Sequence, residues 1–91
     1  SLRNNRDRIN LPVLGLQEDA GRIGSLLAAA SASGRLDLTQ PQAGELQDRL
    51  SDILWYVALL CTEAGTGMQS LAEHSLLRLR ARIKALDPNQ R

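Results

Sequence analysis

Apolar residues recur along this chain three and four positions apart, the spacing of a single helix face, and proline, glycine and cap residues cut the pattern into three blocks. In the first block Leu16, Ala20, Ile23, Leu27 and Ala30 follow Asn10-Leu11-Pro12, a cap residue just ahead of a proline suited to a first helical turn. The spacing predicts a helix over residues 12–33, stopped by Gly34. A loop from Arg35 to Leu38 leads to Thr39-Gln40-Pro41-Gln42, where Thr and Gln three apart bracket a proline, the pattern of a capping box. The second helix is expected over residues 40–64, with Leu46, Leu50, Ile53, Leu54, Val57, Leu60 and Cys61 as its stripe and Gly65 and Gly67 ending it. The third starts near Gln69 or Ser70, where Ser70 and Glu73 form a further capping box, and ends before Pro88. Its stripe is Ala72, Leu76, Leu79, Ile83 and Leu86, with Leu77 well off it. Residues 1–10 read as a polar arm or helix remnant and 89–91 as a tail, which leaves 11–88 as one helical domain. The expected architecture is all-α, an antiparallel helical bundle with short connections.

Composition narrows the picture. With 91 residues, 43% hydrophobic, no Phe, and Trp55 and Tyr56 as the sole aromatics, the core must be built from Leu, Ile, Val and Ala, which favours helices over strands. A chain this short buries a small core, so self-association as a homodimer or homotetramer is expected. Adjacent Trp55 and Tyr56 point about 100° apart on a helix, which suits one core and one interface residue. Eleven Lys plus Arg against ten Asp plus Glu give a net charge of +1, which argues against nucleic acid and anionic membrane as partners. The lone Cys61 lies in an apolar run and reads as a buried structural thiol, while the lone His74 has no second ligand at metal-binding spacing and reads as surface. No apolar run reaches a membrane span and the start has no hydrophobic targeting core, so a soluble cytoplasmic protein is expected.

Two charged sets interrupt the apolar stripes. Asp19 and Arg22 are three apart on the first helix, and Arg49 and Asp52 three apart on the second, so each pair projects from one side of its helix. If the helices are antiparallel about a turn near residues 36 and 37, Asp19 lies level with Asp52 and Arg22 with Arg49. The diagonals Asp19–Arg49 and Arg22–Asp52 then join opposite charges in a four-residue salt-bridge cluster.

The segment GLQEDAGRIGSLL, followed by LQDRLSDILWYVALLCTEAG and then HSLLRLRARI, resembles the all-α nucleotide pyrophosphohydrolases of the MazG type over residues 11 to 86. Those proteins carry E-E-x-x-E on one helix, E-x-x-D ahead of a V-L-W-Y-like stretch on the next, and N-x-x-K-x-x-x-R on the last. The most specific match is Asp52-Ile53-Leu54-Trp55-Tyr56-Val57. The resemblance implies that four carboxylates, two per helix, hold Mg²⁺, which activates water and grips a nucleoside triphosphate cut to a monophosphate and pyrophosphate. Carried over by position, those ligands are Asp19, Arg22, Arg49 and Asp52, so two of the four have become arginines. At about 5 Å and an effective dielectric near 20, each guanidinium repels a divalent cation by about 6 kcal/mol. Asp19 and Asp52 are then the remaining candidate ligands, with magnesium binding weakened or lost and no cofactor expected.

Arg78 and Arg82 stand at the Lys and Arg positions of the third pattern, and Ser75 at its Asn position. They share a flank with Leu71 and are candidate phosphate donors; the alternative is a solvated basic face. Glu18, Glu45 and Asp48 offer a rotated acidic site together with Asp19 and Asp52, or are ordinary solvent-facing charges. The function expected from the resemblance is therefore that of a degenerate pyrophosphohydrolase-fold protein, its partners a second copy and a candidate nucleotide. The alternative is a non-catalytic nucleotide- or protein-binding helical oligomerisation module.

Overall fold

The computed structural model describes residues 5–87 and 89, Asn5 and Asp7 by their backbone alone, so the expectations for residues 1–4 and for the end of the tail lie outside the described residues. The chain is all-helical: α1 spans Asn5–Ala30, α2 spans Gln40–Ala64 and α3 spans Met68–Leu86. No strand occurs among the described residues, and no helix there is long and apolar enough to cross a membrane.

The helix ends follow local chemistry, with two corrections. At α2 the capping box forms as expected: the Gln42 amide donates to Thr39 Oγ1 at 3.2 Å and the Thr39 amide donates to Gln42 Oε1 at 2.9 Å. Its end is closed by Gly65 at φ 72°, a left-handed conformation that glycine adopts without a Cβ penalty, with the Thr66 amide donating to the Cys61 carbonyl at 2.8 Å. The first correction concerns α1, which starts at Asn5, seven residues before the expected Pro12, so of the two readings of residues 1–10, polar arm or helix remnant, residues 5–10 follow the helical one. Pro12 sits inside the helix and its ring is fully buried. A proline one or two turns in forfeits one hydrogen bond; here the ring occupies the inner face, and burial offsets that loss. The helix also stops at Ala30, after which a turn through Gly34, at φ 86°, returns the chain to an Asp37 amide donating to the Ala30 carbonyl at 2.9 Å. The second correction concerns α3, which begins at Met68 behind Gly67 with no side-chain cap, so Ser70 and Glu73 do not form a box. Glu73 instead accepts from the Gln69 side chain at 3.3 Å, one turn apart.

Helices α1 and α2 pack against each other along their length as an antiparallel hairpin. Their level is set by Gly15, over which the Tyr56 ring lies: a Cβ there would come within 2.6 and 2.8 Å of Cε2 and Cε1. The buried side chains, Pro12, Asp19, Leu26 and Ala30 on α1 and Cys61 on α2, lie along this seam. Helix α3 leaves the hairpin and buries no residue; near its start Leu71 lines a shallow hollow with Val57, Leu60, Cys61, Ala64 and Thr66. The result is a flat body of 50 × 39 × 17 Å with a radius of gyration of 17.2 Å, against about 12 Å for a compact chain of this length.

Candidate functional site

Pro12, Asp19 and Leu26 are seven residues apart, so they fall on one line of α1, and that line faces α2. The fold therefore buries a carboxylate between two apolar neighbours. Only 5% of the Asp19 side chain remains exposed. Burying a lone carboxylate is costly unless it is paired. Its partner is Arg49, whose Nη1 donates to Asp19 Oδ1 at 3.2 Å across the hairpin. The contact is single and longer than a tight charge-assisted bond. Asp19 Oδ2 and Arg49 Nε are both buried without a hydrogen-bond partner.

The other half of the expected cluster is not assembled. Arg22 Nε and Nη2 both donate to Glu18 Oε1, at 3.1 and 2.8 Å, an exposed pair one turn apart on α1. Asp52 is exposed and joins no ion pair among the described residues. Asp19, Arg22, Arg49 and Asp52 thus form one buried cross-helix bridge and two solvent-facing charges, correcting the four-residue cluster. The physical reason is register: the seam line carries Asp19 and Arg49, while Arg22 and Asp52 fall a further sixth of a turn or more toward solvent. The i, i+4 spacing of Glu18 and Arg22 was visible in the sequence and would have identified the pair that forms.

Arg78, Arg82 and Ser75 are all exposed on α3, which the hairpin does not contact beyond its start, so within one chain they do not approach Asp19. Of the aromatics, Trp55 points outward at 62% exposure and Tyr56 inward onto Gly15. Cys61 is buried with a free thiol and His74 is exposed. Among the described residues, no three Asp, Glu, His or Cys side chains are grouped to hold one metal ion; Glu18, Glu45, Asp48 and Asp52 are exposed, and Asp19 is buried. The donor set at the seam does not fit a divalent cation. One of its two carboxylates is held by a guanidinium, whose positive charge opposes that of a cation, and the other faces solvent.

Beside the bridge, Gln17, Glu18, Gly21, Arg22, Ser25, Leu26 and Glu45 line an open hollow. Leu38, just before α2, and Ala43, Leu46, Leu50 and Leu54 on it line an open apolar groove. No protein-family model matches the chain, no curated protein matches it, and no solved structure matches it.

Proposed function

We propose that this chain is a MazG-like, pyrophosphohydrolase-fold protein in which an arginine–aspartate bridge stands in place of the magnesium site, leaving a non-catalytic helical module that self-associates. The single observation supporting this reading is the buried Asp19–Arg49 bridge at 3.2 Å. It lies at two of the four positions that the resemblance assigns to metal ligands, and it joins the two helices that would carry them. A positive charge locked onto the one buried carboxylate removes the electrostatic attraction a divalent cation needs. The exposed Arg78 and Arg82 remain available to phosphate oxygens.

The experiment is pyrophosphate release from a panel of nucleoside triphosphates with Mg²⁺ or Mn²⁺. No release above the uncatalysed background is expected. Turnover that depends on metal and disappears in Asp19→Asn would contradict the reading. A second arm, titration calorimetry with a nucleotide in the absence of metal, separates a module that binds nucleotide through Arg78 and Arg82 from one that binds only protein. Heat that is lost in Arg78→Ala/Arg82→Ala supports the former.

A further inference from the structure

The hairpin of α1 and α2 has two unlike sides. On α1, Ile9, Leu16, Ala20, Ile23 and Leu27 lie about 40–100° around the helix from the buried Asp19. On α2, Leu46, Leu50, Leu54 and Val57 lie about 60–140° around from Arg49, in the same rotational sense. Because the helices run antiparallel, equal rotational senses lead to the same side of the hairpin. The opposite side bears this out: Glu18, Arg22 and Ser25, about 60–120° the other way around α1, share a hollow with Glu45, about 40° the other way around α2. With the Tyr56 ring over Gly15 setting the level, Leu16 stands beside Leu54, Ala20 beside Leu50 and Ile23 beside Leu46. The two stripes thus form one apolar strip, two helices wide and about 27 Å long from Ile9 to Leu27. No charged residue falls within it, whereas Asp48, Asp52 and Trp55 turn to the other side of α2. The strip is open, with Ile9 47%, Leu50 52% and Leu54 60% exposed.

These features select a second copy as its cover. Two helices side by side make one layer, and a helical domain closes a core only with a second layer. Helix α3 does not supply it: Leu71 reaches the end of the strip beside Val57 and Cys61, and α3 buries no residue. The chain exposes 7423 Å², whereas a compact protein of its mass exposes about 5,200 Å². The excess is larger than the roughly 800 Å² per partner that a stable interface buries. In a two-fold interface the same patch is used on both copies, so a charged patch would repel itself, and this strip carries no charge. Its two helices are also of nearly equal length, 26 and 25 residues, so a copy turned over about an axis in the plane of contact presents a matching surface.

We propose that two copies of this chain stack these strips face to face, the α1–α2 hairpin of each forming half of a four-helix bundle, with Ala20 and Leu50 near its middle and Glu18, Glu45, Asp48 and Asp52 on its outside. The proposal rests on the self-association in the functional reading above, names the face that carries it, and does not depend on whether nucleotide binds.

Sedimentation velocity at about 50 µM, a concentration well above the dissociation constant of a specific dimer, should give a wild-type dimer. Ala20→Glu and Leu50→Glu each bury an unpaired carboxylate in the contact and should associate at least about tenfold more weakly. Trp55→Glu, on the other side of α2, and Leu79→Glu, on α3, should remain dimeric. All four positions are exposed in the single chain, so circular dichroism should report unchanged helix content. A second measurement puts no charge in the strip: Ala20→Cys and Ser25→Cys are both exposed in the single chain but lie on opposite sides of the hairpin. At about 50 µM the first should react with a maleimide at least about tenfold more slowly than the second, because only the associated form covers it. A monomeric wild type would overturn both this proposal and the self-association on which it rests. A dimer that survives Ala20→Glu and Leu50→Glu, one lost in Trp55→Glu or Leu79→Glu in their place, or equal labelling of the two cysteines would overturn the face alone.

Discussion

Asp19 and Gly15 are the two residues whose neighbours decide most about this molecule. Replacing Arg49 leaves Asp19 buried with no countercharge, and stranding one member of a buried pair typically costs about 3 kcal/mol or more. Arg49→Ala should therefore lower the thermal midpoint markedly. Arg22 and Asp52 sit at the neighbouring positions of the same pattern but face solvent, Arg22 bonded to an equally exposed Glu18. Screened surface pairs contribute roughly 0–1 kcal/mol, so Arg22→Ala and Asp52→Ala should melt close to wild type. Melts in which all three variants fall equally would mean the bridge is not the buried element. At Gly15 an added methyl meets the Tyr56 ring. Alanine gains up to about 1 kcal/mol of helix propensity, but overpacking typically costs about 1–3 kcal/mol. Gly15→Ala should thus destabilise in the wild-type background and stabilise in a Tyr56→Ala background, a sign change that a double-mutant cycle reads directly. At Gly21, where nothing lies within 4 Å of the added Cβ, alanine should stabilise outright. The antiparallel register read from the sequence set Asp19 level with Asp52 and diagonal to Arg49, and of its two diagonals only Asp19–Arg49 closes, because the pattern could not separate seam from rim among residues only three apart.

Among the elements, α2 was the most legible because its signals are local. A Thr-x-x-Gln box and two terminal glycines set both ends within one turn of chain, and both ends fall where they were expected. Thr39→Ala should accordingly cost about 1 kcal/mol, measurable by urea unfolding; an unchanged midpoint would show that Pro41 and packing alone hold the start. The expected start of α1 at Pro12 differs from the observed one because a proline at a helix start and a proline about two turns further in have the same local sequence signature. What decides between them is tertiary: the buried ring lies on the same line as Asp19 and Leu26, and the helix continues through it to reach that packing. Helix α3 was recognisable by its stripe, but the stripe only says that a partner exists. Whether that partner is the same chain or another is not written in periodicity.

At the scale of the whole molecule, a seam with few buried side chains and a third helix with no buried residue among those described leave the isolated chain with little of the apolar burial that stabilises folded domains. Association then supplies stability by mass action, so the thermal midpoint of the wild type should rise with protein concentration. A midpoint constant over a hundredfold range would contradict that dependence. Metal enters through the same linkage, since an ion that binds the folded state alone raises its stability. Arg22→Glu/Arg49→Glu places carboxylates at all four positions matched to the resembling enzymes' ligands, and without metal their mutual repulsion, together with loss of the Asp19–Arg49 bridge, should lower the melting temperature. The most direct measurement is a melt of this double variant with and without a few millimolar Mg²⁺, roughly a few-fold above the dissociation constant of a millimolar site, beside the same pair of melts for the wild type. A metal-dependent rise in the variant and none in the wild type is the predicted result; a rise in the wild type, or none in the variant, would contradict the view that Arg49 occupies the place of a lost metal site.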